Sequence, residues 1–343
     1  GMVQFKDVFL GAEKRVYKRA TTSQKCMRVA GKHNDFEAVG RDGIHHTFFE
    51  MLGNFSFGDY FKAKAVAFAW EYLTETLGLP PDQLYPTIFT DDDEAAAIWS
   101  KVKGIPESQV MRLDEKDNFW AMGDTGPCGP CSEIHYDRGG ECRWGKPDCD
   151  LTCECGRWVE LWNLVFMQFN RDANGVVTPL PRPSIDTGLG FDRLLAVMQG
   201  TESDYDTDLF APVLRVVEDL RGAPYVETAP EGFSYRVIAD HSRATVFLIA
   251  DGILPSNEGH GYVLRRVLRR AVRHGHLLGF REPFMTRAVA AVTEVMGEAY
   301  PELVEQADFI RRVVEQEEER FLLTLDAGTE RLLALIADLE DRG

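Results

Sequence analysis

The sequence lacks any apolar run of about 20 residues, which is the length that a membrane-spanning helix needs. It also lacks a signal-peptide pattern at its start, repeats of useful length and low-complexity tracts. These absences lead us to expect a globular protein of the cytoplasm that has no membrane partner. With 343 residues, the chain is long enough to form two domains.

An excess of positive charge is absent as well, because the chain carries a net charge of −17 and has a sequence pI near 5.0. This acidic average argues for solubility and, taken alone, against a nucleic-acid partner. Between residues 259 and 280, however, it is the acidic residues that are missing. Because docking sites depend on local charged patches, the acidic average does not exclude a nucleic-acid partner. The arginines in this window are Arg265, Arg266, Arg269, Arg270 and Arg273.

Cysteine is scarce except in one short segment. The chain has seven cysteines, and an odd number without a secretion signal does not predict a disulfide framework. Four of them fall within 14 residues at the spacing C-x6-C-x3-C-x-C, among Gly, Pro and Asp. Four thiolates at such spacing suit a structural Zn²⁺ ion, with free thiols in a surface insertion as the alternative. The four are Cys142, Cys149, Cys153 and Cys155.

A second pair, Cys128 and Cys131, has the Cys-Gly-Pro-Cys spelling of a thioredoxin-type dithiol. That redox motif requires a helix directly after it, whereas residues 132–136 alternate like a strand. The sequence therefore argues against a redox role for this pair.

Alternating polar and apolar residues dominate the first half of the chain and predict strands there. We expect strands at residues 25–30, 45–52, 132–136 and 159–169, and helices at 61–77, 91–103 and 186–198. After about residue 201, apolar residues recur at helical spacing. Helices are expected at residues 208–220, 235–251, 260–278, 287–296 and 303–339. The pattern predicts an α+β domain followed by a helical domain, with the junction near residue 200.

Two motifs suggest ligand binding. The predicted hairpin within residues 26–54 carries Arg28 and Lys32 close together. A planar guanidinium, a mobile cation and aromatic rings suit a nucleotide, although a surface hairpin with ordinary charges is the alternative. The second motif runs from Asp186 to Arg193 and has glycines at a strand-to-helix entry, where anions are favoured. A capped glycine-rich turn is the alternative there, and no Walker-type sequence occurs, so a P-loop enzyme is not expected.

Together the two motifs resemble motifs 2 and 3 of the class II aminoacyl-tRNA synthetases, in the same order and about 150 residues apart. Five stretches are similar in amino-acid sequence to the alanyl-tRNA synthetases, at residues 31–35, 45–62, 126–131, 162–170 and 255–257. The resemblance implies a class II antiparallel sheet flanked by helices, followed by an all-helical domain. Residues 1–200 would be the catalytic domain, with a cysteine-rich insertion at about 138–157, and residues 201–343 a helical tRNA-recognition domain. The segment 128–131 is implied to be a turn that shapes the site.

The resemblance also implies ATP-dependent activation of L-alanine to alanyl-adenylate and its transfer to the 3′ end of tRNA(Ala). Mg²⁺ would accompany ATP. Arg28 is matched to a contact with the α-phosphate, Arg193 to the γ-phosphate, and Asp186 to the α-ammonium group of the amino acid. The implied residues are Arg28 and Lys32 for catalysis; Arg28, His45, Phe49 and Arg193 for ATP; and Trp120, Val165 and Asp186 for alanine.

For tRNA, the resemblance matches Asn257 to the residue thought to read the G3·U70 base pair. The arginine-rich helix would contact the acceptor stem, with binding that weakens steeply with salt; a solvated basic helix is the alternative. The pair His45 and His46 is expected to make sheet and nucleotide contacts instead of binding a metal. The implied tRNA-binding residues are Asn257, Arg265, Arg266, Arg269 and Arg270.

Three departures from the family pattern affect these expectations. Residues 41–44 differ from a loop that usually ends in arginine, and His260 stands where arginine is usual. The start of the chain matches the end of motif 1, so we expect the preceding helix and strand to be absent. The family has a separate editing domain further along its chain, and no segment here resembles it, so we expect no editing. A small pocket cannot exclude glycine or serine strongly, so misactivation is expected. The alternative functions are an adenylating paralogue with another acceptor and a non-catalytic tRNA-binding fragment.

Overall fold

The computed structural model describes residues 1–29, 35–153 and 155–342. These residues divide into two units, each with its own apolar core. The first unit comprises Gly1–Cys26 and Phe49–Glu202, and the second comprises Met27–Phe48 and Ser203–Gly343. Among the helices of the described ranges, none combines the length and the apolar character that crossing a membrane requires.

One sheet of eight strands organises the first unit. The strand order is β1-β2-β8-β7-β6-β3-β4, and β5 pairs with β6. The pairs β2–β8, β8–β7, β7–β6, β6–β5 and β6–β3 are antiparallel, whereas β3–β4 is parallel. The strands are β1 (Arg19–Met27), β2 (Phe48–Ser56), β3 (Leu84–Phe89), β4 (Met111–Leu113), β5 (Phe119–Ala121), β6 (Gly126–Asp137), β7 (Trp158–Arg171) and β8 (Val177–Gly190).

The central strands are two-faced because successive side chains of a strand point to opposite sides. Leu164 and Phe166 of β7 belong to an apolar core that also contains Trp70 and Trp99 from the helices. Val165, which lies between them in sequence, belongs to a different cluster on the other face. That second face carries the candidate site. The helices of this unit are α1 (Lys6–Phe9), α2 (Lys62–Glu71), α3 (Asp93–Trp99), α4 (Glu115–Asn118) and α5 (Phe191–Gln199).

The second unit is built around one buried helix. In α7 almost every residue from Ser234 to Ile249 is buried, as expected for a helix in the centre of a helical domain. The next helix, α8, packs through the apolar stripe Leu264, Leu268 and Ala271 and leaves its arginines on other faces. The helices are α6 (Ala211–Arg221), α7 (Gly232–Ala250), α8 (Gly259–Leu277), α9 (Met285–Met296), α10 (Pro301–Glu305) and α11 (Ala307–Arg342).

The predicted fold class, a sheet flanked by helices and followed by a helical region, is confirmed. The predicted helix at 186–198 is wrong at its start, because β8 continues to Gly190 and α5 begins at Phe191. Pairing explains the difference: Asp186 lies in register with Phe55 of β2 and Val165 of β7. Strands β3, β4, β5 and β8 were not predicted. The assignment of the two functional domains to residues 1–200 and 201–343 stays a prediction.

The Cys128–Cys131 segment is not a turn. It lies inside β6, with a register shift against β7 between the two cysteines. A Cβ atom on Gly129 would lie 2.0 Å from the carbonyl oxygen of Phe166, so the neighbouring backbones approach as closely as only glycine allows. Both cysteines are buried.

Candidate functional site

Asp186 is the most informative side chain of the first unit. It lies in the middle of β8, between Phe55 and Val165 of the two neighbouring strands, and is only 5% exposed. Burial raises the pKa of its carboxyl group to about 6, although the ammonium group of Gly1 acts in the opposite direction. A buried carboxylate with so little compensation is suited to receive a cationic group.

An apolar wall stands beside this carboxylate. Val165 is the direct cross-strand partner of Asp186, and it belongs to the same apolar cluster as Trp120, Cys131 and Phe55. Trp120 is placed by β5, where it pairs with Gly129 of β6. The structure therefore brings together the three residues that the sequence assigned to alanine.

Acidic side chains occupy the same face of the sheet farther along β6 and β7. Glu133 accepts a hydrogen bond from the amide of Asn163 at 2.9 Å. Burial raises the pKa of Glu133 well above its usual range, and the charges of Glu160 and Asp117 add to this effect. Arg193, in the first turn of α5, pairs with Glu160 at 3.0 Å. One arginine thus faces several carboxylates, an arrangement that could hold a divalent cation.

Sequence reasoning missed Glu133, Glu160 and Asn163. A signal was available for two of them, because alternation in the predicted strands at 132–136 and 159–169 places Glu133 and Asn163 on the face opposite Ile134 and Leu164. Glu160 reaches that face only through the register shift between Ile134 and His135, which alternation does not predict. His135 lies on the same face, and burial is the main cause that lowers its pKa. Neutral imidazole is therefore the form expected at physiological pH.

In the second unit, Arg28 directly follows β1. Its N–H donates to the carbonyl oxygen of Thr47 at 3.0 Å, and its guanidinium lies 3.9 Å from the carboxylate of Asp35. Thr47 in turn donates its N–H, at 3.0 Å, and its hydroxyl to the buried carboxylate of Asp240 on α7. The backbone at Arg28 is thus fixed to the helical scaffold through Thr47. Lys32 lies outside the described residues.

The two neighbouring histidines have different surroundings. His45 is one-third exposed (33%), and its Nδ1 lies 2.7 Å from Asp42. Burial by itself would raise the pKa of Asp42, but the hydrogen bonds from His45 and its charge outweigh burial, so the pKa of Asp42 is lowered. His46 is buried, with Nε2 3.0 Å from Asp204 and Nδ1 3.3 Å from Asp240. His46 therefore contacts side chains of its own unit, and the expectation of sheet and nucleotide contacts for this pair stays a prediction. Phe49, the other predicted nucleotide contact near them, belongs to the first unit.

The arginines of α8 contact the protein on two sides. Arg266 and Arg270 stack over the ring of Phe36, at 4.0 and 4.6 Å from its centroid. On the other side, Arg265 and Arg269 pair with Glu317 of α11 at 3.0 and 2.7 Å. The predicted tRNA-binding arginines therefore all take part in intramolecular contacts, and their role toward RNA stays a prediction. Asn257, in the loop before α8, is exposed and accepts a hydrogen bond from Arg265.

Four cysteine side chains converge in the insertion between β6 and β7. All four Sγ atoms lie within 4.8 Å of one another, with 3.7 Å between Cys142 and Cys153 and 3.5 Å between Cys149 and Cys155. Tetrahedral zinc with Zn–S bonds of about 2.3 Å separates its sulfurs by about 3.8 Å. The cluster therefore fits one Zn²⁺ ion.

Protonation in this cluster is uneven. Burial opposes ionisation of Cys142, but the backbone N–H groups of Lys146 and Trp144 lower its pKa to about 6. Burial, together with the neighbouring thiols, raises the pKa of Cys149 to about 12. A cation that lets all four thiols ionise would remove this conflict.

The model of the family described as tRNA synthetases class II (A) matches residues 1–343. The chain belongs to the class II tRNA synthetases. This membership confirms the resemblance seen in the sequence.

The class II synthetase chain is similar to three proteins named alanine–tRNA ligase. The one from Desulfosudis oleivorans is 58% identical over 338 residues, which cover 98% of this chain and 38% of that protein. Those from Nitratidesulfovibrio vulgaris and Oleidesulfovibrio alaskensis are 56% and 58% identical, covering 100% and 96% of this chain and 39% and 37% of theirs. The chain thus spans less than half the length of these curated relatives. Among solved structures, apo S. aureus histidyl-tRNA synthetase matches with a TM-score of 0.31 at 13% identity, over 63% of this chain and 59% of that one; we base nothing on so weak a likeness.

Proposed function

We propose that this chain activates L-alanine with ATP and transfers the alanyl group to the 3′ end of tRNA(Ala). The observation that carries the proposal is the buried Asp186 beside Val165 and Trp120. A carboxylate next to a small apolar wall suits an amino acid that has an ammonium group and one methyl group. The relatives named alanine–tRNA ligase support the same substrate. A cytoplasmic location belongs to the same proposal.

The proposed reaction has two steps. A carboxylate oxygen of alanine attacks the α-phosphorus of ATP, and the bond from this phosphorus to the bridging oxygen breaks, so that pyrophosphate leaves. The terminal ribose hydroxyl of tRNA then attacks the carbonyl carbon and loses its proton, and AMP leaves. Because both steps are displacements, positioning and charge stabilisation supply most of the rate enhancement.

Each proposed role uses a charge or a surface of this chain. Asp186 would hold the ammonium group of alanine, while Val165 and Trp120 would contact its methyl group. The family assigns Arg28 to the α-phosphate and Arg193 to the γ-phosphate, where planar guanidinium groups suit phosphate oxygens. His45 and Phe49 complete the assigned ATP contacts, and Lys32 is assigned to catalysis together with Arg28.

Mg²⁺ is the cation that class II synthetases use with ATP. Bound with ATP, it supplies charge neutralisation on the phosphates, and Glu133 and Glu160 are the residues that would hold it. The donor set fits, because both carboxylates lie on the site face and Glu160 raises the pKa of Glu133. Hard carboxylate oxygens are the ligands that Mg²⁺ prefers.

Alanine-dependent exchange between ATP and pyrophosphate tests this proposal. We expect exchange with the unsubstituted chain and its loss, by about 10²-fold or more, in Arg28→Ala, since such a contact stabilises the transition state by several kcal/mol. Affinity for tRNA should change little. Arg15→Ala is the matched control, because Arg15 is exposed and pairs only with nearby Glu13 among its described contacts.

The exchange assay also separates the alternatives. Absence of exchange in the unsubstituted chain together with retained tRNA binding would favour a non-catalytic RNA-binding role. Exchange without any affinity for tRNA would favour an adenylating enzyme with another acceptor. Equal loss of exchange and of tRNA binding in Arg28→Ala would show that Arg28 is structural.

We also propose that Cys142, Cys149, Cys153 and Cys155 hold a structural Zn²⁺ ion. The sulfur separations described above support a tetrahedral site. The base of the insertion is fixed by Arg157, whose guanidinium donates two hydrogen bonds of 2.6 Å to Asp137. A bound ion would therefore order the insertion from its far end.

Metal analysis tests the zinc proposal. The protein purified without chelator should contain about one Zn²⁺ per chain, and Co²⁺ exchanged into it should show the visible absorption of tetrahedral thiolate coordination. Cys153→Ser should lose most of the metal, whereas Cys26→Ser, outside the cluster, should retain it. Full zinc content in Cys153→Ser would contradict the assignment.

A further inference from the structure

The loop before α8 holds Asn257 in one orientation. Arg265, eight residues later on α8, donates one N–H of its guanidinium to Oδ1 of Asn257 and another to the carbonyl oxygen of Pro255 at 3.4 Å. The side chain of Arg265 is largely buried (16% exposed), whereas Asn257 is exposed. The loop itself is tight, because a Cβ atom on Gly261 would lie 2.3 Å from the carbonyl oxygen of Leu254.

A buried acid on a distant helix fixes this arginine. Glu317 of α11 is 4% exposed and lies 3.0 Å from Nε of Arg265. The same carboxylate accepts from Nε of Arg269 at 2.8 Å. A buried carboxylate requires charge-paired partners. The planar guanidinium of Arg265 directs Nε and one Nη group toward Glu317, the latter at 3.4 Å, and its other Nη group toward Asn257.

The chemistry of arginine then decides which way the amide of Asn257 points. A guanidinium group has N–H donors and no acceptor, so the Asn257 atom that faces it must be the oxygen. The Nδ2 amino group is left on the other side, where it offers donors to a ligand. In double-stranded RNA, acceptors on base edges and ribose hydroxyls are accessible in the wide, shallow minor groove.

We propose that Glu317 and Arg265 form a relay that fixes Asn257 as a hydrogen-bond donor toward the acceptor stem of tRNA. The proposal rests on the proposed function and on the resemblance, which matches Asn257 to a contact with that stem. Arg265 is then a positioning residue for base-pair selectivity, and its charge is used inside the protein instead of on a phosphate. This separates Arg265 from the exposed Arg266, whose guanidinium remains a candidate for phosphate contact.

The test compares two acceptor-stem hairpin RNAs that differ only in the 3·70 pair, G3·U70 and G3·C70. Binding to the whole chain is measured by fluorescence anisotropy at several salt concentrations. Glu317→Gln, Arg265→Lys and Asn257→Asp should each reduce the ratio of the two affinities by about fivefold or more, the discrimination that one good contact provides. For Arg265→Lys, which keeps the charge but not the fork, the salt slope should stay unchanged.

Arg273→Gln is the matched control, because Arg273 is an exposed arginine of the same helix. It should leave the affinity ratio unchanged. Melting temperatures and alanine-dependent exchange show whether each variant is folded, and Arg265→Lys keeps the test decisive if Glu317→Gln unfolds. The relay is overturned if Arg265→Lys and Arg265→Gln both preserve the affinity ratio, while Arg265→Gln weakens the binding of both RNAs equally and lowers the salt slope. That result would make Arg265 a phosphate contact. If the unsubstituted chain does not distinguish the RNAs but supports alanine-dependent exchange, the relay fails while the proposed activation of alanine stands. If it also supports no exchange, the proposed function fails as well.

Discussion

Asp186→Asn should stabilise the ligand-free protein and abolish alanine activation. Asp186 is 5% exposed, and burial raises its pKa from 3.8 to about 6, against the opposing charge of the Gly1 ammonium. A shift of about two units corresponds to roughly 3 kcal/mol. This is the approximate free energy by which the ionised carboxylate destabilises the fold at neutral pH.

The direction of the pH dependence follows from the raised pKa. The folded protein binds this proton more tightly than the unfolded chain, so the contribution of Asp186 to the free energy of unfolding is most favourable below about pH 4. That contribution declines as the pH rises and is lost above about pH 6. At pH 7.5 the asparagine variant should be more stable by up to about 3 kcal/mol, while at pH 4 the two proteins should be alike.

Activity should change in the opposite direction. The ammonium group of alanine would lose its charged partner, and breaking a buried ion pair costs about 3–5 kcal/mol. We therefore expect kcat/KM for alanine in ATP–pyrophosphate exchange to fall by about 10²- to 10³-fold. A variant that is more stable and less active would show that Asp186 is retained for its ligand.

Chemical denaturation at pH 4 and pH 7.5, combined with the exchange assay, measures both effects. Asp92→Asn is the matched control: Asp92 is also buried in the first unit, but it pairs with Lys62 at 2.6 Å and accepts from the N–H of Ala95 at 3.0 Å. Removing that charge should destabilise the protein at pH 7.5, because the buried Lys62 would lose its buried charged partner and keep only the exposed Glu94, 2.9 Å away. If Asp186→Asn is also destabilising at pH 7.5 and leaves kcat/KM for alanine unchanged, the reasoning is refuted.

Two further predictions concern other sites. Glu318 of α11 is buried and accepts from the N–H groups of Phe284 and Met285, at 2.9 and 3.1 Å, and burial raises its pKa to about 7. Its contribution to the free energy of unfolding should therefore decline between about pH 4.5 and pH 7, so Glu318→Gln should gain stability relative to the unsubstituted protein as pH rises. Denaturation from pH 5 to pH 8 checks this against the exposed Glu319→Gln, and parallel curves for Glu318→Gln would contradict it. Glycine and serine should also support measurable exchange. The value of kcat/KM for glycine should be about 10- to 200-fold below that for alanine, because one methyl group is worth about 1–3 kcal/mol. Undetectable exchange with both amino acids would contradict the description of the pocket.

Much of the architecture could be predicted because it depends on local patterns. Alternation located β7 and the second half of β6, and helical spacing placed α6 to α9 within a few residues of their observed ends. The single helix predicted at 303–339 is wrong, because the structure has two helices there, α10 and α11. The start of α5 could not be placed in this way. Glycines next to Asp186 read as a turn, whereas pairing with Phe55 and Val165 keeps this segment extended.

In the candidate site, too, some features depend on local sequence and others on distant contacts. Cysteine spacing was sufficient to predict the cluster at 142–155, since residues so close in sequence have few ways to lie apart. The burial of His46 could not be predicted from its neighbours in sequence, because it contacts Asp204 and Asp240, more than 150 residues away. No local pattern contains such partners.

The sequence by itself determined the family, the kinds of side chain available for ATP and alanine, and the arginine-rich character of α8. Only the tertiary structure decided how these side chains are used. Strand register buries Asp186 beside Val165 and so raises its pKa. The packing of α11 against α8 brings Glu317 to Arg265 and thereby sets the direction of Asn257. Burial and charge pairing depend on which distant segments meet, and that is a property of the folded chain.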